Sequence, residues 1–348
     1  MSAPSLDVSL PLVRQPMAIS FRFLLSLYAI VPLCLLLQLS DQFVFNFTLR
    51  DALPSSPSHF MLFQVLFGTP HIIASNVLLA THSDYLAAFK YKLLGMTLFI
   101  IVFFGIGSLF IPYTWLYVLT ACWTVYHVLR QQHGIAKAVC RLPSAEFYWQ
   151  LGLSVSAGIF IYLGIFLKNT LDAEQALWVL RIATALTLAL LLSTWRCRSK
   201  VPSGMGQSFL WANSLLVISS WYLYAQQYYF LAILIPRLVH DVTAYSFYVS
   251  HDVNRHRQHA DNFLLRITSA CHVPVAVVLP VLSFFLTYVL QVYGDEAVNF
   301  ITQTLFSTQI YKAVTLGVIG YLALMHYYTE AFVWAAGSPL RRYIVFAK

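Results

Sequence analysis

Apolar stretches of about 20 residues follow one another along this chain, and short polar segments separate them. An α-helix of that length spans the hydrocarbon core of a bilayer. In lipid every backbone polar group needs an internal partner, which leaves helices or a closed barrel. The apolar runs are continuous rather than alternating, so helices are favoured. We therefore predict an all-α integral membrane protein, a polytopic bundle of about ten transmembrane helices, at about 20–40, 60–82, 93–111, 114–136, 149–168, 175–195, 208–225, 228–251, 268–291 and 311–334.

The composition supports the same class of protein. Hydrophobic residues make up 59% of the 348 residues and charged residues 10%. A soluble domain carries roughly 25% charged residues, so this chain could not cover a water-facing surface. The connections between the apolar stretches are short, which predicts a single transmembrane domain over residues 1–348 without a soluble appendage.

The distribution of charge predicts the topology. Lys and Arg collect in every second connection, and the connections between them are neutral or acidic. Cytoplasmic loops of membrane proteins carry such an excess of basic residues. This alternation predicts an even number of spans with both termini cytoplasmic, in the bacterial inner (plasma) membrane. It also accounts for the formal net charge of +8 without a nucleic-acid partner.

Two pairs of histidines share one spacing. His71 and His82 are eleven residues apart in the second predicted span, and so are His240 and His251 in the eighth. Eleven residues are close to three helical turns, so each pair lies on one helix face with its rings roughly 16 Å apart along the axis. One ion cannot bind both members of a pair, because metal–nitrogen bonds are about 2 Å long. The spacing predicts two layers, one in mid-membrane and one at the cytoplasmic end, with His82 and His251 in the second.

Four helices are expected to contribute to the mid-membrane layer. Ionisable residues at membrane depth face the interior of a bundle and mark functional sites. The spacing of three and four residues places His127, Arg130 and Gln131 on one face, and it does the same for His326 and Glu330. The predicted set is His71, His127, His240 and His326, with Asp241, Glu330, Arg130, Arg237 and Gln131 nearby, while His59, His256, His259 and His272 are assigned to loops or interfaces.

Several inward histidines beside carboxylates suit a borderline divalent metal such as iron. We predict a non-haem Fe2+ site, mononuclear or dinuclear, and the sequence alone does not decide which histidines are ligands. A polar network that only joins helices is the alternative, although small residues achieve transmembrane association more simply. The candidate metal ligands are His71, His127, His240, His251 and His326, and the candidate catalytic residues are Asp241, Glu330 and Arg130.

Some of these residues resemble the Brp/Blh-type membrane carotenoid dioxygenases. The shared features are Pro70-His71 on an early helix, the single His127 on a middle helix, and a late aromatic segment that ends in His251. Where that family has a second histidine four residues later, this chain has Arg255. A looser resemblance connects the chain to membrane histidine-box non-haem iron oxygenases, whose tightly spaced boxes it lacks. Both resemblances imply oxygenase chemistry at non-haem iron on a lipophilic substrate.

Three functions remain open at this point. The leading hypothesis is a membrane-embedded iron oxygenase or oxidase that acts with O2 on a carotenoid, a fatty acyl chain or another hydrocarbon. Its partners would be the lipid bilayer, the lipophilic substrate and an electron donor. The second hypothesis is an ion-coupled transporter that uses intramembrane His, Asp and Arg. The third is a haem-binding electron-transfer protein.

Overall fold

The computed structural model describes residues 16–256, 272–310, 312–335 and 337–347. His259 and the first residues of the predicted span at 268–291 lie outside these ranges. The described chain is built from helices, with one short sheet at the two ends. The longer helices are α1 Phe21–Phe43, α2 Met61–Ala80, α3 Ser83–Leu109, α4 Tyr113–Cys140, α5 Ser144–Phe166, α6 Ala173–Lys200, α7 Gly204–Ala225, α8 Tyr229–His256, α9 Val275–Val292, α10 Gly294–Phe306 and α11 Ile319–Val333.

Seven of these helices, α1–α3, α5, α6, α8 and α9, are long and apolar enough to cross a membrane. The chain is therefore an integral membrane protein with an all-α bundle, as the sequence predicts. The other three predicted spans fall on α4, α7 and α11, which are also helical. The crossing of the membrane by these three helices stays a prediction.

Sequence features explain where several helices begin. Asp172 forms a capping box with Gln175 at the start of α6, so each side chain binds an otherwise unpaired backbone N–H. Pro112 and Pro143 immediately precede α4 and α5, and the fixed φ of proline suits such a boundary.

Helix α8 is the centre of the bundle. It contacts α1, α2, α4, α7 and α9, and 67% of its most apolar stretch is buried inside the protein. This burial explains why α8 can carry polar residues at membrane depth, since neighbouring helices rather than lipid surround them. Pro236 lies inside α8, one turn before His240.

A π-helical turn precedes predicted site residues at two places in the chain. One such turn, Gln64–Gly68, lies in α2 just before His71, and another, Ala313–Val318, immediately precedes α11. Single π turns inside helices are frequent at functional sites, because they rotate the side chains that follow.

The short sheet joins the two ends of the described chain. Strand β1, Ala18–Ser20, pairs in parallel with β2, Val345–Ala347, and Ile19 is opposite Phe346. Asn254 near the end of α8 fastens both ends. Its amide donates to the carbonyl oxygens of Met17 and Tyr343, and its Oδ1 accepts from the Met17 N–H at 2.7 Å. We call this side of the bundle the termini face.

At the opposite face, the end of α1 meets the start of α8. The Asp41 carboxylate accepts from the backbone N–H groups of Leu49 and Arg50 and from the Tyr228 hydroxyl. Helices α1 and α8 thus run between two faces, each of which is fixed by buried hydrogen bonds.

Replacing Asn254 by Ala should destabilise the protein. The substitution removes the partners of the Met17 N–H and of the buried Tyr343 carbonyl oxygen, while the Met17 carbonyl oxygen still accepts from Ser250, and we expect the free energy of unfolding to fall by about 1–3 kcal/mol. Denaturation in mixed detergent micelles would measure the change. Asn169→Ala in an exposed turn is the matched control, with an expected change within about 0.5 kcal/mol. Equal stability of the two variants would contradict the role of Asn254.

Candidate metal centre

Four histidine rings from four helices lie together in the middle of the bundle. His71 comes from α2, His127 from α4, His240 from α8 and His326 from α11. The ring centroids of His71 and His240 are 5.3 Å apart, and those of His127 and His240 are 4.8 Å apart. His326 lies 4.9 Å from both His71 and His127, and 6.3 Å from His240. We call these four residues the histidine cluster.

The histidine cluster is almost completely buried. The exposed fractions of the four residues range from 0% for His326 to 6% for His127. Within the described residues, neither ring nitrogen of His240 has a hydrogen-bond partner, and the same holds for Nε2 of His127 and of His326. A buried polar atom without a partner costs on the order of 1–3 kcal/mol, so four such atoms at one point indicate a group that binds there.

Two overlapping sets of side chains could hold a metal ion. One set is His71, His240 and His326, and the other is His127, His326 and Glu330. Within each set the candidate ligand atoms lie within 4.8 Å of one another. Imidazole and carboxylate groups together suit zinc, copper, iron or nickel.

The ring separations in the histidine cluster are compatible with one ion, held by either of the two sets. Metal–nitrogen bonds of about 2 Å place the centroids of two rings on one ion roughly 4.5–6.5 Å apart. All five measured centroid separations, from 4.8 to 6.3 Å, fall in this interval. Both sets also share His326, and a neutral imidazole has one free lone pair.

Hydrogen bonds orient two of the rings. His71 Nδ1 lies 3.2 Å from the carbonyl oxygen of Phe67 in the preceding turn, so its N–H donates there and Nε2 keeps a free lone pair. His326 Nδ1 lies 3.4 Å from the Tyr248 hydroxyl oxygen, which leaves its Nε2 as the unpartnered atom. Metal-ligating histidines use such contacts to fix the tautomer.

Glu330 is held at the edge of the histidine cluster by three donors. Its Oε1 accepts from the Tyr248 hydroxyl and from the Trp334 indole at 2.9 Å. Its Oε2 accepts from Gln131 at 3.3 Å and lies 3.3 Å from His127 Nε2. A carboxylate with these partners is fixed in position for metal binding or for accepting a proton.

Asp241 lies on the other side of the histidine cluster. Its Oδ2 accepts from Arg237 at 3.2 Å, and its Oδ1 is 3.5 Å from His71 Nδ1. Arg237 also donates to the carbonyl oxygen of Gly68 at the end of the π turn in α2. The ion pair therefore joins α8 to the turn that positions His71.

A second layer lies nearer the termini face. The rings of His82 and His251 are 5.9 Å apart, and His251 Nε2 is 2.9 Å from the Tyr85 hydroxyl. His251 Nδ1 is 3.4 Å from Asp252. Neither possible metal-binding set includes His251, so the structure places this predicted ligand in the second layer, about three helical turns from the histidine cluster.

Arg130 also lies outside the histidine cluster. It is exposed on α4 and donates to the hydroxyl of Tyr126 one turn earlier. It lines an open cavity of about 340 Å³ together with His127 and Glu330. The structure thus brings together His71, His127, His240, His326, Glu330 and Asp241, while Arg130 borders the approach to them.

Sequence reasoning missed two residues that hold Glu330. Trp334 follows Glu330 by four residues, and that spacing was available as a signal of contact. Tyr248 belongs to another helix, eighty-two residues away from Glu330, and no local pattern indicates that pairing.

No model of a known protein family, no curated protein and no solved structure matches this chain.

Replacing Arg237 by Met should destabilise the protein by about 3–5 kcal/mol, because Asp241 would remain as a buried charge without its ion-pair partner. The double variant Arg237→Met/Asp241→Asn should recover a substantial part of that loss. Unfolding free energies of wild type, both single variants and the double variant in mixed micelles form the test. If the loss of unfolding free energy in the double variant equals the sum of the losses in the two single variants, the two residues are not coupled.

Proposed function

We propose that this protein is a membrane-embedded non-haem iron oxygenase or oxidase that acts with O2 on a lipophilic substrate. The observation that carries the proposal is the histidine cluster, with four unpartnered buried ring nitrogens among the described residues and Glu330 at its edge. His71, His127, His240 and His326 would hold one ferrous ion, with Glu330 as a further ligand or as a base. The bound ion would supply the activation of dioxygen.

The residues around the histidine cluster would orient the ligands, exclude water and transfer protons. Phe67 and Tyr248 orient the His71 and His326 rings, and Asp241 contributes negative charge close to His71. Burial excludes bulk water from the rings, which protects a reactive centre from side reactions. Glu330, fixed by Tyr248 and Trp334, is placed to accept or return a proton where the cavity reaches the histidine cluster.

The neighbouring cavity supports a lipophilic substrate. His127 and Glu330 are among its lining residues, and most of the others are aromatic or aliphatic. Its volume of about 340 Å³ lies in the range of small-molecule pockets. A buried polar network that only joined helices would not require an apolar cavity at its edge.

Metal analysis tests the proposal. Full-length protein should contain about one iron per chain, and His240→Ala or His326→Ala should lower the iron content at least tenfold. His133→Ala is the matched control, because His133 is buried on the same helix as His127 but bonds Ser154 at 3.0 Å. We expect it to retain its iron.

Other outcomes would favour the remaining hypotheses. A Soret band in the optical spectrum would indicate a haem protein, and substrate-dependent proton flux in liposomes would indicate a transporter. A metal-free preparation that stays folded and active would overturn the proposal. Two irons per chain would contradict the single-ion site but not the oxygenase.

We also propose that the chain crosses the membrane ten times, with both termini cytoplasmic in a bacterial inner membrane. The paired strands β1 and β2 require an even number of crossings between them, and seven is odd. Crossing by α4, α7 and α11 as well gives ten. Helix α10, with 13 residues, is too short to span and would lie at the face opposite the termini.

Cysteine labelling in intact cells tests this topology. In a background without the native cysteines, Asn169→Cys should react with a membrane-impermeant maleimide, because the connection after α5 lies outside. Ser199→Cys, at the other end of α6, should react only after permeabilisation. Labelling of both positions in intact cells would refute the proposed topology.

A further inference from the structure

The cavity beside the histidine cluster contains two cationic side chains as well as apolar ones. Along α4 its lining extends from Trp123 past His127 to Ala138, fifteen residues or roughly 22 Å. The opposite wall is formed by α11 and by the segment that leads into β2. The cavity therefore runs from the proposed metal site towards the termini face.

Aromatic residues dominate the walls of this cavity. These side chains would contact a hydrocarbon chain over most of its length. Few polar groups in the cavity remain that could recognise another part of such a ligand. The aromatic lining residues are Trp123, Tyr126, Phe247, Tyr327, Tyr328, Trp334 and Phe346.

The two cations are Arg130 and Arg341. Arg130 donates to the Tyr126 hydroxyl, and Arg341 donates to the carbonyl oxygen of Ile344 at 2.8 Å and lies over the Phe346 ring. Within the described part of the chain, neither guanidinium has a carboxylate at ion-pair distance. Among the described residues this property is shared with exposed arginines such as Arg181, whereas Arg50, Arg237 and Arg255 each pair with an aspartate, so it is their position in the wall of the cavity that distinguishes Arg130 and Arg341.

Glu330 does not supply the missing negative charge. It lines the same cavity, but its oxygens accept from Tyr248, Trp334 and Gln131. Two guanidinium groups without a counter-ion, at the edge of an apolar cavity in a membrane protein, indicate an anionic ligand. A neutral hydrocarbon would form no ionic contact with either guanidinium group.

We infer that the substrate is a single-chain lipid with an anionic headgroup, a carboxylate or a phosphate monoester. Arg130 and Arg341 would bind the headgroup, since the planar guanidinium matches both anions with two parallel hydrogen bonds. The chain would lie on the aromatic walls with one part against His127 and Glu330. The inference rests on the proposed function for the reaction, but the binding itself requires no metal.

Equilibrium binding to the full-length protein in nanodiscs tests the inference, both as purified and after treatment with a chelator. The probes are palmitate, hexadecyl phosphate and hexadecanol, which share a chain of sixteen carbons and differ in headgroup. Palmitate should bind at least tenfold more tightly than hexadecanol, because its carboxylate can form charge-assisted hydrogen bonds with the two guanidinium groups. A still tighter hexadecyl phosphate would assign the headgroup as a phosphate, and a weaker one would assign it as a carboxylate.

Variants identify the residues responsible. Arg130→Gln/Arg341→Gln should weaken palmitate binding about tenfold or more and leave hexadecanol binding unchanged. Trp123→Ala should weaken both ligands by a similar factor, because it removes part of the apolar wall. Arg181→Gln is the matched control: Arg181 is exposed and lies over the Trp178 ring, away from the cavity.

Equal affinity of wild type for palmitate and hexadecanol would overturn the inference, as would an unchanged preference for palmitate in the double arginine variant. Failure of the proposed function is a separate result, because it would show as missing iron while palmitate binding persisted. An iron-containing protein that prefers hexadecanol would keep the oxygenase and remove the anionic headgroup.

Discussion

The structure depends on the cost of burying imidazole groups in the middle of a membrane bundle. Nitrogen atoms that face neither water nor a protein partner lose the full free energy of their hydrogen bonds. A fold that places each of four rings within 4.8–6.3 Å of at least two of the others concentrates this cost at one point. The surrounding contacts, from the ion pair of Arg237 and Asp241 to the donors on Glu330, keep the rings in place.

Helix α8 carries residues of three separate sites along its length. His240 contributes to the histidine cluster, His251 lies in the second layer, and Asn254 fastens the two ends of the described chain. These residues are spaced so that one buried face of a helix carries all three. A shift of α8 along its axis would therefore disturb the site, the second layer and the short sheet together.

Much of the helical fold could be predicted from the sequence, because apolar runs of the length of a bilayer have few alternatives. Within the described residues, each predicted span falls largely on helix. The eleven-residue spacings also separate the two layers as predicted, with His71 beside His240 and His82 beside His251. The amphipathic helix α10 was missed, since its 13 residues lie in a stretch treated as a loop. The β1–β2 pairing and the contact of Tyr248 with Glu330 join residues distant in sequence, which periodicity cannot reveal. The resemblance to carotenoid dioxygenases remains a prediction.

The short sheet also has a consequence for biosynthesis. A ribosome makes β1 before any of the long helices and β2 after all of them, so their pairing is among the last steps of assembly. Ile344, just before β2, and Phe346, within it, form part of the wall of the cavity beside the histidine cluster. Until synthesis of this segment is complete, the inserted bundle would therefore lack the part of the cavity wall that these two residues form. The wall of the cavity is complete only after the late segment has paired with the early one, so the proposed lipid substrate could bind only then.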